Sequence, residues 1–232
     1  MKPPLRRLTK EQILWLGEHY CQHGMPYLEH YNCFLHERPA SPMKERIGYL
    51  DIETSGFYAD YDFMLSWCIL EEPEDQSQEP KLYKDLITTK EITKAYSFDK
   101  RLCSSLVSAM RGFDRLVVYY GTDNRFDIPF SRTRALKWGI DFPKYRELFV
   151  EDAYGMVRQK LRLSRNRLGN ICGLLEIPAK TLPGDPNIWM RATAGSQKDL
   201  EYVLEHNIED VESLRALYHR IKDFGLRGKR SL

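Results

Sequence analysis

No run of apolar residues in the 232-residue sequence is long enough to cross a bilayer, which excludes a helical membrane protein and a membrane partner for such a helix. The amino terminus, Met1-Lys2-Pro3-Pro4-Leu5-Arg6-Arg7, has no apolar core behind it, so no secretory signal is expected. Cysteine is scarce and odd in number, at 5, and without a secretion signal these thiols are expected to be reduced in a cytoplasmic compartment. An excess of one charge is lacking as well. Lys plus Arg number 35 against 33 for Asp plus Glu, so the net +2 singles out no partner and the distribution of charge has to be read instead. The length and ordinary composition suit one well-cored domain with an appendage, or two small ones.

The densest chemical signal is Tyr49-Leu50-Asp51-Ile52-Glu53-Thr54-Ser55-Gly56. Read as a strand that breaks at glycine, it points Leu50 and Ile52 one way and Asp51 and Glu53 the other, because strand side chains alternate. Two carboxylates on one face of a buried strand repel and lose hydration, and a fold keeps such a pair when a cation sits between them. Oxygen ligands suit a hard cation such as Mg²⁺. The competing reading is an edge strand with a wet acidic face.

Residues 64–70 read as a nearly all-apolar second strand, 71–80 as an acidic loop and 81–88 as a third strand. A helix is expected from Ser97-Phe98-Asp99 to about Gly112, with Leu102, Leu106, Val107 and Met110 as its apolar stripe. Leu116-Val117-Val118-Tyr119-Tyr120 suits a strand buried on both faces. This order predicts an α/β domain with a mixed sheet, the fourth strand lying parallel beside the first.

Pro129 belongs in the first turn of a helix, so Asp127 stands at or just before its start. There it either faces the carboxyl end of the sheet or caps the helix, and Asp123 is a rival for the same role. The helix continues through Arg134 and Trp138 to Gly139, Leu148-Phe149-Val150 is a brief strand, and Asp152 opens another helix. Arg158, Lys160, Arg162, Arg165 and Arg167, interleaved with Leu161, Leu163 and Leu168, read either as a phosphate-contacting surface or as a solvated helix face. Lys180 and Trp189 fall in a stretch, 178–195, that reads as loop, where the indole stacks on a base or fills the core. The last helix, from about 197 to 224, puts His206 and Asp210 on one face, with Tyr202 four residues earlier. They are a structural pair, or a metal ligand with a base beside it.

Ahead of this domain, a helix is expected from a Thr9–Gln12 capping box to about Gly24-Met25-Pro26. His19, Cys21, His23, His30, Cys33 and His36 crowd the segment. Cys21-x-His23 and His30-x-x-Cys33 form two pairs that can close a tetrahedral Zn²⁺ site, with His19 and His36 as rival ligands. The competing reading is hydrogen-bonded side chains packed on the main domain. Residues 37–42, with two prolines, read as a linker. The expected division is therefore 1–44 for the Cys/His-rich segment and linker, 45–224 for the main domain, and 225–232 for a basic tail.

Taken in order, Leu50-Asp51-Ile52-Glu53-Thr54, Asn124-Arg125-Phe126-Asp127-Ile128-Pro129 and His206-Asn207-Ile208-Glu209-Asp210-Val211 resemble the three motifs of the DEDD superfamily of 3′→5′ exonucleases. This is the ribonuclease-H-like group that includes polymerase proofreading domains, and the resemblance covers residues 46 to about 224. The chain looks most similar to predicted exonuclease-type members from phages and microbes. The resemblance implies a three-layer domain with a mixed five-stranded sheet flanked by helices, in the cytoplasm, or in the host's cytoplasm for a phage-encoded chain.

The resemblance also implies two Mg²⁺ or Mn²⁺ ions held by Asp51, Glu53, Asp127 and Asp210. In that scheme Asp51 bridges both ions, Glu53 and Asp210 hold the one that binds the attacking water, and Asp127 acts on the second, directly or through water. His206 would orient or deprotonate the water, with Tyr202 in reserve. Family members with histidine place it five residues before the last aspartate, whereas His206 occupies the four-residue spacing of the tyrosine members. The implied substrate is DNA or RNA with a single-stranded 3′ end, and Arg158, Arg162, Arg165, Arg167 and Lys180 are candidate contacts. Two other functions compete. One is a catalytically silent nucleic-acid-binding module, against which the full acid set argues. The other is a ribonuclease-H-like endonuclease, against which the histidine or tyrosine ahead of Asp210 argues.

Overall fold

The structure, a computed structural model, describes residues 8, 10–37, 45–73, 75, 77–94, 98–122, 125–144, 147–177 and 182–224. In chain order the elements are α1 (Lys10–Glu18), α2 (Tyr31–Glu37), β1 (Ile47–Thr54), β2 (Met64–Glu71), β3 (Lys81–Leu86), α3 (Thr89–Ile92), α4 (Lys100–Met110), β4 (Arg115–Val118), α5 (Asp127–Lys137), β5 (Phe149–Asp152), α6 (Ala153–Lys160), α7 (Leu168–Leu174), α8 (Pro186–Thr193) and α9 (Gln197–Ile221).

β1 behaves as its alternation dictates. Leu50, Ile52 and Thr54 are buried, while Asp51 and Glu53 are half-buried on the opposite face. A buried leucine or isoleucine is worth about 1.5–3 kcal/mol, so a one-residue slip, which would drive both acids into the core, is strongly disfavoured. β2 is apolar on both faces and lies inside the sheet, whereas β3 is only partly buried and takes an edge. The strand order is β3-β2-β1-β4-β5, with antiparallel pairing of β1 to β2 and β2 to β3, and parallel pairing of β1 to β4 and β4 to β5. Tyr49 stands opposite Val117 in the parallel pair, so the carboxyl ends of β1 and β4 emerge side by side. In α/β sheets that edge is where sites form.

The sheet is the middle of three layers. Leu50 and Ile52 join Leu106 of α4 and Ile128 of α5 in one core. Tyr49 and Val117 join Val157 of α6, Ile171 of α7 and Leu214 of α9 in the other. Residues 8–37 have a small apolar cluster of their own, built from Leu8, Leu16, Cys21, Tyr27 and Tyr31.

One buried ion pair ties the first of these layers down. Arg134 on α5 donates from Nε and Nη2 to Asp99 at 2.9 and 2.6 Å, and Asp99 also accepts from Met64 N and Trp138 Nε1, both at 2.8 Å. A buried pair survives desolvation only when its remaining lone pairs are filled, as they are here.

Several expectations need correction. α1 ends at Glu18, short of Gly24, because the chain turns at His19, whose ring is bonded to Trp15 O at 2.8 Å, and Tyr20 then bridges to Pro26. β3 stops at Leu86, because Thr88 and Glu91 form a capping box that starts α3. α4 does start after Asp99 as expected, and the Asp99 carboxylate is drawn into the Arg134 pair rather than onto the helix amides. Residues 186–193 are helix α8, capped by Asp185 with Pro186 in its first turn. Glu37 ends α2, and the remaining linker residues, Thr9, Ser97, Asp123, Lys180 and the 225–232 tail lie outside the described residues.

Candidate active site

The site begins where β1 leaves the sheet. A register shift falls between Glu53 and Thr54, so Glu53 pairs with Ser66 while Thr54 pairs with Met64. Such bulges re-aim side chains beside functional sites. Across the sheet face, α9 is fixed by Asn207, which is fully buried and donates from Nδ2 to Ser66 Oγ at 3.1 Å. Because Ser66 is the strand partner of Glu53, this bond sets the height of α9 against β1. The neighbouring positions His206 and Asp210 are thereby brought to the acids.

Glu53, His206 and Asp210 offer ligand atoms that all lie within 4.8 Å of one another. His206 Nε2 is 3.7 Å from Glu53 Oε1 and 3.6 Å from Asp210 Oδ2. The four-residue spacing therefore does put histidine and aspartate on one face of a continuous helix. On the other side of the ring, His206 Nδ1 lies 2.9 Å from Leu182 O. A carbonyl only accepts, so Nδ1 carries the proton, and in the neutral ring Nε2 presents its lone pair to the acids. Leu182 is itself held by Glu209 Oε2, which accepts from its N–H at 3.0 Å.

Asp127 opens α5 and is almost completely buried. Its Oδ2 has no hydrogen-bond partner among the described residues, and a Cβ placed on Gly121 would collide with that oxygen. Only glycine lets the backbone approach so closely. Its carboxyl is pushed well above the ordinary carboxylate range, first by burial and then by the charges of Glu53, Asp152 and Asp210. Asp51 shares the face of Glu53 and pairs across the strands with Cys68, whose thiol is pushed up by burial and then by the Asp51 charge.

Three residues of this surroundings were not read as such from sequence. Trp189, on α8, donates from Nε1 to Glu53 Oε2 at 3.2 Å and packs edge-on against His206, with ring centroids 4.9 Å apart. Leu182 supplies the carbonyl that sets the imidazole tautomer. Asp152 caps α6 and organises the turn after β4, accepting from Tyr120 N at 3.0 Å and Thr122 Oγ1 at 2.8 Å, and pairing with Arg125. The Asp185-Pro186 start of α8 was the available clue for Trp189, whereas a backbone carbonyl leaves none. Tyr202 spends its hydroxyl on Pro183 O at 3.0 Å.

The basic stretch leaves its helix after Lys160, so a solvated helix face describes only Arg158 and Lys160. Beyond it, Leu161, Leu163 and Leu168 pack on the second core while Arg162, Arg165 and Arg167 are exposed. Among the described residues none of Arg158, Arg162, Arg165 and Arg167 is in an ion pair. Arg165 and Arg167 line an open groove of about 620 Å³ together with Tyr119, Tyr120 and Tyr154. The groove adjoins the acids through the Tyr120-Gly121-Thr122 turn. Far off in sequence, Cys21, His23, His30 and Cys33 also converge, with all four ligand atoms within 4.8 Å.

The decisive comparison is with family models. That of the RNase H superfamily matches residues 48–222, a span that includes every candidate acid and His206. The chain belongs to the RNase H superfamily. No curated protein matches the chain in sequence. Membership points to a nuclease that acts on nucleic acid with divalent metal ions. The acids fit such ions: a buried, unpartnered carboxylate oxygen and a set of mutually repelling acids are what a hard dication relieves. Among the described residues no helix is long and apolar enough to cross a membrane.

Proposed function

We propose that the chain is a metal-dependent 3′→5′ exonuclease of the DEDD type, hydrolysing phosphodiester bonds of DNA or RNA by a two-metal-ion mechanism. The observation that carries this reading is the convergence of Glu53, His206 and Asp210 within 4.8 Å, beside the buried Asp127, whose Oδ2 has no hydrogen-bond partner among the described residues. Asp51, Glu53, Asp127 and Asp210 hold two Mg²⁺ or Mn²⁺ ions. Bound there, the ions supply Lewis-acid charge that activates water and offsets charge at phosphorus.

His206 accepts the proton of the attacking water at Nε2. Its Nδ1–H bond to Leu182 O keeps that lone pair turned toward Glu53 and Asp210. Trp189 restrains Glu53 and walls the ring on one side. The strand enters along the groove of Arg165 and Arg167, where phosphates meet guanidinium groups and unstacked bases lie on Tyr120 and Tyr154. Arg158 and Arg162 extend this basic track. A groove of aromatic faces suits a single strand better than a duplex, whose bases are already stacked, which supports a single-stranded 3′ end as substrate. Five cysteines, none in a disulfide among the described residues, support a reducing, cytoplasmic setting.

The test compares linear and circular single strands of one sequence, as DNA and as RNA, with Mn²⁺. Loss of linear strands from the 3′ end with circles left intact is the expected result. Cleavage of circles would replace the exonuclease by an endonuclease on the same acids.

A further inference from the structure

The segment before the sheet domain has chemistry that hydrolysis does not use. We propose that Cys21, His23, His30 and Cys33 form a closed structural zinc site, an inference independent of the exonuclease reading. Two local pieces of chain bring the ligands together. The first is a tight turn: Gly24 N donates to Cys21 O at 2.8 Å, Cys21 N donates to Met25 O at 2.9 Å, and Gly24 adopts a φ of 73°. This sends the Cys21 and His23 side chains to one side. The second is the start of α2, where Cys33 N donates to His30 O at 2.8 Å, so that His30 and Cys33 lie one turn apart.

The donor atoms then form a regular quartet. Cys21 Sγ lies 3.8 Å from His23 Nδ1 and 3.6 Å from His30 Nδ1. Cys33 Sγ lies 3.3 and 3.6 Å from the same two nitrogens. A tetrahedral zinc with Zn–S of about 2.3 Å and Zn–N of about 2.0–2.1 Å sets sulfur–nitrogen edges of about 3.5–3.6 Å. Hydrogen bonding alone accounts poorly for four such contacts, because protons on two thiols or on two imidazole nitrogens fill only about two of them. The two imidazoles stand at 76° to each other with centroids 5.6 Å apart, so their Nδ1 atoms converge while the ring bodies diverge.

Need for such an ion follows from size. The segment's buried cluster consists of Leu8, Leu16, Cys21, Tyr27 and Tyr31, and one of these is itself a ligand. Segments this short usually depend on a metal, a disulfide or a partner to hold their shape. With four protein donors no position is left for water or substrate, so the ion is structural rather than catalytic. Binding displaces two thiol protons to solvent, and two thiolates against one Zn²⁺ leave the site neutral.

The test measures metal in the full chain, purified under reducing conditions and dialysed against a weak chelator, and repeats the measurement on two double variants. Wild type and Asp51→Ala/Asp210→Ala are expected to keep about one zinc per chain, and Cys21→Ser/Cys33→Ser to lose it. Substituted Co²⁺ should show thiolate-to-cobalt charge-transfer bands and the d–d spectrum of a tetrahedral ion. Should the serine variant fail to fold, Cys33→His decides, since it keeps four donors. It should retain the tetrahedral spectrum with about half the charge-transfer intensity, one thiolate of two remaining. Equal zinc in wild type and the serine variant, zinc lost only with the acids, or a cobalt spectrum without thiolate bands would each overturn the proposal.

Discussion

Replacing His206 by alanine isolates the step that the geometry assigns most narrowly. The imidazole donates from Nδ1 to Leu182 O at 2.9 Å and turns Nε2 toward Glu53 and Asp210, at 3.7 and 3.6 Å. If Nε2 takes the proton of the attacking water, its loss should cost about 10²–10⁴ in rate, the usual contribution of a positioned base. At about 1.4 kcal/mol per tenfold, that is a barrier increase of about 3–5 kcal/mol. Single-turnover hydrolysis at saturating Mn²⁺, followed across pH, is the assay. His206→Ala should show this loss at every pH at which wild type is active. If the ring is a metal ligand instead, as its place among the three converging donors also permits, the variant should recover rate at higher Mn²⁺. A variant that keeps the wild-type rate at every pH would refute both roles.

Other substitutions test the surroundings of the site. Asp127→Asn should abolish hydrolysis yet raise the thermal stability of metal-free protein. The raised carboxyl of Asp127 stabilises the fold only while protonated, so wild type should lose stability as pH rises through that value and the asparagine variant should not. Glu72 gives the opposite sign. Burial pushes its carboxyl up, but hydrogen bonds from Tyr49, Arg215 and His219 outweigh this and hold it below the ordinary range. Its contribution is present above the unfolded-chain value and disappears as pH falls through the folded one. Glu72→Gln should therefore cost about 1–2 kcal/mol near neutrality in urea unfolding and converge with wild type in acid. Arg134→Ala strands the buried Asp99 carboxylate and should cost about 3–5 kcal/mol by the same measurement, because one partner of a buried pair is left charged and alone.

The legibility of the fold and site in the sequence differed from place to place for physical reasons. Asp51 and Glu53 were readable because a period of two is a local property and Leu50 and Ile52 anchor it. His206 and Asp210 were readable because helical spacing is equally local. The order of strands and helices also foretold the mixed sheet with β4 parallel to β1. The Cys/His quartet lay within the thirteen positions from Cys21 to Cys33, so its members needed no long-range contact to be suspected.

Contacts between distant segments were not readable. Trp189 meets Glu53 across 136 positions, and Asp99 meets Arg134 across 35. No periodicity reports such pairings, which arise only when the layers close. The start of α4 at Asp99 was readable, but not that the Asp99 carboxylate satisfies an arginine rather than the free amides of α4. Helix α8 was missed although Asp185-Pro186 signals its start, because the glycine and prolines around it outweighed that signal.

The exonuclease reading rests on these acids holding the metal that drives hydrolysis. Its most direct test is cleavage of 3′-labelled and 5′-labelled single-stranded DNA and RNA with Mn²⁺, Mg²⁺ or EDTA, with Asp51→Ala in parallel. Cleavage is expected with a divalent ion, none in EDTA, and none by an Asp51→Ala protein whose circular dichroism and melting match those of wild type. Degradation at the wild-type rate by Asp51→Ala, or no cleavage of any strand with either ion, would contradict it.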